Sequence, residues 1–287
     1  MMRYTMWDVK VPYRGLDHSV GLNFGPDGRL YAGGELGQVY VMEQGTEQPK
    51  ELARTKGFVG GLLVDEQSNV YACDSGKHAV LRITQAGTVE TYCGEVNGKP
   101  FVLPNYNILD DQGNMYLTDS GPQSGYADYW RTTGRLIRIS PDRKAKVLLH
   151  DLRFPSGLAL SADGTKLFLV ESSASDVLMV HVERDGTIGG YEVYANLPDT
   201  VPEGIALDQE GGLLVSCYRP DQIVRITPDR RVELLIRDDT SEILNRVTNI
   251  AYPPDGSARL HFANMGGWHI GSLDVGTGGA KLRYPAL

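Results

Sequence analysis

The sequence of 287 residues has few cysteines, no long apolar run and fewer basic than acidic residues. Three cysteines, Cys73, Cys93 and Cys217, are too few for a disulfide framework and form no CxxC metal pair, so we expect buried, reduced thiols. Lys and Arg number 28 against 36 Asp and Glu, and the formal charge of -8 opposes binding to nucleic acid or anionic lipid. Residues 1–13 lack the apolar core and cleavage site of a signal peptide. We therefore expect a cytoplasmic protein without membrane association.

Several common catalytic motifs are also missing. The chain has no HExxH, no GxSxG, no P-loop and no GxGxxG followed by a predicted helix. Their absence argues against a zinc protease, a serine hydrolase of the nucleophile-elbow type and a nucleotide-binding enzyme. Signals for helices are almost absent as well.

A self-similar phrase recurs along the whole chain: a glycine-like position, an apolar alternation, an Asp/Gly turn and a second apolar strand with a polar end. The six copies are GLNFGPDGRLYAGGE from Gly21, GLLVDEQSNVYACD from Gly61, YNILDDQGNMYLTD from Tyr106, GLALSADGTKLFLVE from Gly157, GIALDQEGGLLVSC from Gly204 and NIAYPPDGSARLHFAN from Asn249. They start 40 to 51 residues apart, which is the length of a four-stranded propeller blade.

The repeats predict an all-β fold, a six-bladed β-propeller with four-stranded antiparallel blades, formed by residues 1–287 as a single domain. The turns PDG, DQG, ADG and QEG supply the positive φ that short hairpins need. A propeller must close to avoid a bare edge strand. Residues 4–13 and 281–284 are the candidates for strands of a shared closing blade.

The innermost strands of a propeller meet around a central channel, so one residue per blade faces the axis at the channel mouth. The residues just before each glycine-like position are Val20, Gly60, Asn105, Ser156, Glu203 and Thr248. Glu203 is the one ionisable group in this ring. With Asn105 and Ser156 it offers the oxygen ligands that calcium or magnesium prefers.

Three segments, at residues 153–172, 197–229 and 247–256, resemble the senescence-marker-protein/gluconolactonase (regucalcin-like) family, which is related to strictosidine-synthase-like and paraoxonase-like propellers. The resemblance extends over all six blades and is strongest in the last three. It implies a hydrolase that acts on a small lactone or ester at the channel mouth. It also implies a divalent cation (Ca, Zn, Mg or Mn) that polarises the carbonyl.

The resemblance also implies where that cation would be held: by a Glu in the first blade, two Asn in the third and fourth and an Asp in the fifth. Asn105 matches the third-blade position, and Glu203 matches the fifth with one extra methylene. Ser156 and Val20 depart from the family's Asn and Glu. We therefore expect Glu203, Asn105 and Ser156 to be both the catalytic residues and the ligands of a depleted metal site, with the alternative that no metal is bound.

Two other functions remain open at this stage. In one, Glu203 transfers protons without a metal, in a lyase, isomerase or cyclase, because a carboxyl group in a narrow channel has a raised pKa. In the other, the propeller binds a small molecule without catalysis. The partner in each case is a small molecule, and the oligomeric state is not predicted.

An insertion in the third blade, Ser120 to Gly134, stands where other blades turn in a few residues. Its aromatic residues Tyr126, Tyr129 and Trp130 predict a lid over a ligand. The alternative is an aromatic cluster that packs on the adjacent blade.

The remaining predicted substrate contacts lie near the ends of inner strands or in turns. They are Tyr106, Thr248, Asn249, His18, Trp268, His269 and Arg219. Thr248 and Asn249 would form a polar wall, and either histidine could shuttle a proton or be purely structural. Arg219 would neutralise an anionic substrate or be a solvated loop residue. The recurring acids Asp74, Asp119 and Glu171 are interpreted as structural, each accepting backbone N–H bonds.

Overall fold

Six four-stranded antiparallel sheets make up almost all of the regular structure, and they are arranged as the six blades of a β-propeller. The structure is a computed structural model that describes residues 2–123 and 126–287, without the side chain of Tyr126. The inner strands contact one another in the order of the blades, and the first contacts the last. This ring of contacts encloses the central channel.

A 3-10 turn at Met6–Asp8 precedes strand β1 (Lys10–Arg14) and the first three blades. Blade 1 consists of β2 (Leu22–Phe24), β3 (Leu30–Gly33), β4 (Gln38–Met42) and β5 (Lys50–Arg54). Blade 2 consists of β6 (Val59–Val64), β7 (Val70–Asp74), β8 (Ala79–Ile83) and β9 (Val89–Cys93). A small hairpin of β10 (Glu95–Val96) and β11 (Lys99–Pro100) follows. Blade 3 consists of β12 (Pro104–Leu109), β13 (Met115–Asp119), β14 (Gly134–Ile139) and β15 (Ala145–Leu152), with helix α1 (Tyr126–Tyr129) inside its insertion.

The last three blades follow the same order, from the axis outward. Blade 4 consists of β16 (Pro155–Leu160), β17 (Lys166–Glu171), β18 (Asp176–Val182) and β19 (Ile188–Asn196). Blade 5 consists of β20 (Val201–Leu207), β21 (Leu213–Arg219), β22 (Gln222–Ile226) and β23 (Val232–Arg237). Blade 6 consists of β24 (Val247–Ala251), β25 (Arg259–Asn264) and β26 (His269–Asp274), and its outer strand is β1.

The blades stack through apolar side chains, because each inner sheet face packs on its neighbour. Six buried clusters fill the six interfaces between blades. One example joins blades 1 and 2 through Tyr31, Val39, Val59 and Leu62. Because successive side chains point to opposite faces of a sheet, each strand contributes to the interfaces with both neighbouring blades.

Short turns between the first two strands of a blade depend on residues that adopt a positive φ. Gly28 and Gly164, predicted as such turn residues, have φ of 77° and 72°. The acids at the strand ends are structural, as predicted. Asp74 Oδ1 accepts hydrogen bonds from the amides of Phe58 and Lys77, and Asp119 accepts from the amide of Leu103 at 2.7 Å.

The prediction for closure is half right. Strand β1 completes blade 6, as expected for the N-terminal candidate. The prediction of a closing strand at residues 281–284 is wrong, because this segment forms no strand and instead crosses the end of the channel opposite the mouth. Its polar groups bond to backbone carbonyls there: Arg283 donates to Ser161 O at 2.7 Å, and Tyr284 donates to Phe24 O at 3.1 Å.

The thiols of all three cysteines are free and buried, as the sequence predicts. Within residues 2–123 and 126–287, no helix has the length and apolar character needed to span a bilayer.

Candidate functional site

The residues predicted to face the axis lie on irregularities at the mouth end of the inner strands. In β20 the register of pairing with β21 shifts between Pro202 and Ile205, so Glu203 lies outside the regular ladder. The same shift occurs around Ser156 in β16 and around Asn105 in β12. Bulges of this kind redirect side chains and are common beside functional sites.

The glycine that follows the axial residue is needed because the inner strands approach one another closely. A Cβ at Gly157 would lie 2.5 Å from Glu203 O, and a Cβ at Gly204 would lie 2.3 Å from Thr248 O. No larger residue fits at these positions without moving the neighbouring strand. The recurring glycine in the sequence thus brings successive axial side chains into contact.

Three of the predicted residues form one hydrogen-bonded chain across blades 3, 4 and 5. Ser156 Oγ donates to Glu203 Oε2 at 2.6 Å. Asn105 Nδ2 donates to Ser120 Oγ at 3.0 Å and lies 3.4 Å from Ser156 Oγ. The second amide hydrogen of Asn105 is therefore only weakly used and can be offered to a ligand.

Glu203 is a carboxyl group surrounded by protein that still reaches the channel. Burial raises its pKa to about 7, although the hydrogen bond from Ser156 acts in the opposite direction. Among the described residues no lysine, arginine or histidine forms an ion pair with it. A carboxyl group with such a pKa can both accept and release a proton at neutral pH.

Three residues around the group of Asn105, Ser156 and Glu203 were not predicted as site residues. Ser120 and Ser172 directly follow the structural acids of blades 3 and 4, and this shared Asp-Ser or Glu-Ser pair could have indicated them. Ser120 donates to Pro155 O at 2.7 Å and so fixes the strand that carries Ser156. Cys217 lies near Glu203 in blade 5, and burial raises the pKa of its thiol to about 12, which keeps it protonated.

Tyr106 and Asn249 meet inside the channel. Tyr106 Oη donates to Asn249 Oδ1 at 2.9 Å, across the axis from blade 3 to blade 6. Thr248 Oγ1 donates to Val20 O at 2.6 Å and ties blade 6 to blade 1. Tyr106, Thr248 and Asn249 thus belong to the same channel as Glu203.

His18, Trp268 and Arg219 lie in a separate group on the rim. The rings of His18 and Trp268 have their centroids 4.9 Å apart. His18 Nδ1 lies 3.1 Å from carboxylate oxygens of both Asp17 and Glu35. Arg219 borders the same rim cleft of about 410 Å³ and pairs with Asp221, 3.5 Å away. Among the described residues, no hydrogen bond or ion pair joins these three side chains to Glu203.

His269 lies away from the channel group. Its Nε2 is 3.0 Å from both Ile243 O and Asn264 Nδ2, and burial lowers its pKa. These contacts tie the loop before β24 to blade 6 and agree with the structural alternative for this histidine.

The insertion of blade 3 holds the remaining predicted contacts. The Tyr129 ring lies 4.9 Å from that of Phe154, at the start of the next blade, and 5.1 Å from that of Trp130. Trp130 is 53% exposed. Tyr129 thus packs on the adjacent blade, which was the alternative to a lid, and the side chain of Tyr126 lies outside the described residues.

Residues 28–255, most of the chain, match the profile of the SMP-30/Gluconolactonase/LRE-like region. The chain belongs to this family. It is 25% identical over 190 residues to the gluconolactonase of Zymomonas mobilis subsp. mobilis, which covers 59% of this chain and 51% of that protein. It is 26% identical over 242 residues to Protein STRICTOSIDINE SYNTHASE-LIKE 8 of Arabidopsis thaliana, which covers 75% of this chain and 64% of that protein. The chain thus spans less than two thirds of both relatives.

Among solved structures, a calcium-binding protein, regucalcin, from Agrobacterium tumefaciens is similar over the full length of both chains. Its TM-score is 0.81 at 15% sequence identity. At this identity the likeness shows the shared fold alone, and that fold is the six-bladed propeller.

The resemblance in the sequence implies a divalent cation held by four side chains, but the side chains of this chain do not all match those four positions. Val20 offers no side-chain ligand atom, which leaves Glu203 as the one carboxyl group among the predicted ligands. Ser156 directs its hydroxyl hydrogen at Glu203. Hard cations need several anionic oxygens for tight binding, so the site is built as a hydrogen-bonded carboxyl group.

Ser156→Ala should raise the pKa of Glu203 further. The lost hydrogen bond favours the charged carboxylate, and bonds of this type are worth about one to two pH units. The pH at which Glu203 titrates, followed by NMR, should rise accordingly. Ser161→Ala, just beyond the other end of β16, should leave it unchanged; equal shifts in both variants would contradict the assignment.

Proposed function

We propose that this member of the family is a hydrolase of small lactones or esters, in which Glu203 acts as general base at the channel mouth. The observation that carries the proposal is the Glu203 carboxyl group, desolvated on the channel axis, with a pKa of about 7 and without a basic partner among the described residues. Family membership and the Zymomonas gluconolactonase support the lactone as the substrate class. We also propose that the protein works in the cytoplasm and does not bind nucleic acid.

The geometry suggests how the reaction proceeds. Ser156 holds the Glu203 carboxylate toward the channel, where it accepts a proton from a water molecule that attacks the carbonyl carbon. The weakly bonded second amide hydrogen of Asn105 donates to the carbonyl oxygen as negative charge develops there. The protonated Glu203 then gives its proton to the leaving alkoxide as the ring C–O bond breaks. The product is a hydroxy acid, and Glu203 returns to its charged form.

Turnover of a panel of lactones and simple esters tests this proposal. We expect kcat/KM to rise with pH around a pKa of about 7, where an ordinary glutamate would give 4.5. Exposure to a chelator should leave the rate unchanged, because the donor set does not fit the family's cation. A chelator-sensitive rate would instead assign Glu203, Asn105 and Ser156 to a metal. No turnover of any lactone or ester would overturn the proposal.

A further inference from the structure

The side chain of Tyr106 crosses the channel. Blades 3 and 6 are opposite one another in a ring of six, so the bond from Tyr106 Oη to Asn249 Oδ1 spans the axis at 2.9 Å. Burial raises the pKa of the phenol, and the hydroxyl therefore remains a donor over the working pH range. Tyr106 directly follows Asn105 in the sequence. Its ring lies deeper in the channel than Glu203, which is at the mouth.

A cavity of about 130 Å³ lies on the other side of the Tyr106 ring, and its lining includes Asn23, Lys281 and Arg283 beside aliphatic residues. Each blade contributes at least one aliphatic residue to its wall: Leu22, Leu63, Ile108, Leu158, Ile205 and Ile250. Aliphatic walls of this kind bind small apolar molecules: a cavity of about 150 Å³ lined by apolar residues binds benzene in another protein. The space behind Tyr106 is thus suited to a small apolar group.

The C-terminal segment borders this cavity at its far end. Leu282, Arg283 and Tyr284 line it, and the backbone carbonyls of blades 1 and 4 hold the last two side chains in place. The C-terminal segment and the Tyr106 ring therefore lie at opposite ends of the cavity. The Tyr106 ring is at the end nearer Glu203.

We propose that Tyr106 is a specificity-determining residue that limits the site to compact lactones or esters by closing the inner cavity to the substrate. The kinetic part of this proposal rests on the proposed function, whereas the binding part rests on the cavity and the ring alone. A substrate with an alkyl substituent that points inward meets the Tyr106 ring. Without the ring, each methylene that enters the cavity should improve binding about fourfold.

A series of γ-lactones whose alkyl substituent grows from methyl to hexyl tests the proposal. Turnover is measured with the full chain, and binding is measured by calorimetry in the Glu203→Gln background, where the lactone stays intact. In the wild type, affinity and kcat/KM should not increase with chain length. In Tyr106→Ala they should rise about fourfold per methylene until the cavity is filled, so that the longer members gain tenfold or more.

Three matched variants separate the ring from other effects. Tyr106→Phe keeps the ring but loses the bond to Asn249, and it should retain the chain-length profile of the wild type. Tyr106→Leu serves as a milder opening if the alanine variant does not fold. Ile108→Phe in the Tyr106→Ala background refills the cavity, because Ile108 follows Tyr106 on the same side of β12, and it should abolish the gain.

The results distinguish this inference from the proposed function. If no lactone is turned over, the hydrolase proposal fails, and the calorimetric series still decides the role of Tyr106. The inference is overturned if neither opened variant binds the hexyl lactone better, relative to the methyl lactone, than the wild type does. It is also overturned if the wild type already gains affinity with chain length, since the ring would then not close the cavity.

Discussion

Glu203→Gln should make the folded protein about 3 kcal/mol more stable above pH 7. The folded pKa of Glu203 is about 7 and its ordinary value is 4.5, so the folded state binds its proton more tightly. The stability that this group contributes is fully present below pH 4.5 and is lost as the pH rises through 7. Glutamine carries no charge and keeps an oxygen for the Ser156 hydroxyl, so the variant avoids this loss.

The measurement is the difference in unfolding free energy between the variant and the wild type, from denaturant titrations at pH 4 and pH 8. At pH 8 the melting temperature should rise by about 6 °C or more. Turnover should fall by roughly a hundred- to ten-thousandfold, because the general base is lost. Glu66→Gln, an exposed residue in a turn of blade 2, should change neither quantity. A variant less stable than the wild type at pH 8 would contradict the desolvation of Glu203.

His261 should have the opposite dependence on pH. Its ring is buried in blade 6 against Phe24, with centroids 5.1 Å apart, and burial lowers its pKa to about 4 from 6.5. The unfolded chain therefore binds a proton more readily than the folded one between these two values. The wild type should lose up to about 3 kcal/mol from this group as the pH falls from 6.5 to 4.

His261→Phe tests this, because phenylalanine cannot be protonated and suits the apolar surroundings. The Glu203 and His261 contributions oppose each other between pH 4 and 7, so the stability of the wild type alone is uninformative. The difference between variant and wild type should shift in favour of the variant as the pH falls. A difference that does not depend on pH would refute the assignment for His261.

The propeller fold could be predicted because local sequence patterns determine its strands and turns. The alternation of apolar residues recurs in each blade, a turn glycine in five blades and an acid at the end of the second strand in blades 2, 3 and 4. Each reflects a short-range requirement of a hairpin or an inter-blade contact. The path of residues 281–284 could not be predicted in this way. Its partners, such as Phe24 O and Ser161 O, are backbone atoms of distant blades, and apolar alternation alone does not tell a strand from a segment that covers the channel.

The candidate site was predictable where it consists of the residues, one per blade, that face the channel axis. Glu203, Ser156 and Asn105 come together because each precedes a position where the inner strands converge. The hydrogen bond between Tyr106 and Asn249 joins residues 143 positions apart, and no local sequence pattern predicts it. The histidines show the same limit, since His269 is tied to a loop carbonyl and His18 to two rim carboxylates. The chemical type of a residue indicates what it can do, whereas its contacts decide whether it faces the channel.

The proposed chemistry depends on Glu203 being a desolvated acid on the channel axis, and its titration tests this most directly. The side-chain carboxyl carbon of Glu203 can be followed by NMR against pH and assigned by its absence in Glu203→Gln. We predict a midpoint of about 7. A midpoint near the ordinary 4.5 would show a solvated carboxylate and would contradict both the proposed general base and the predicted gain in stability.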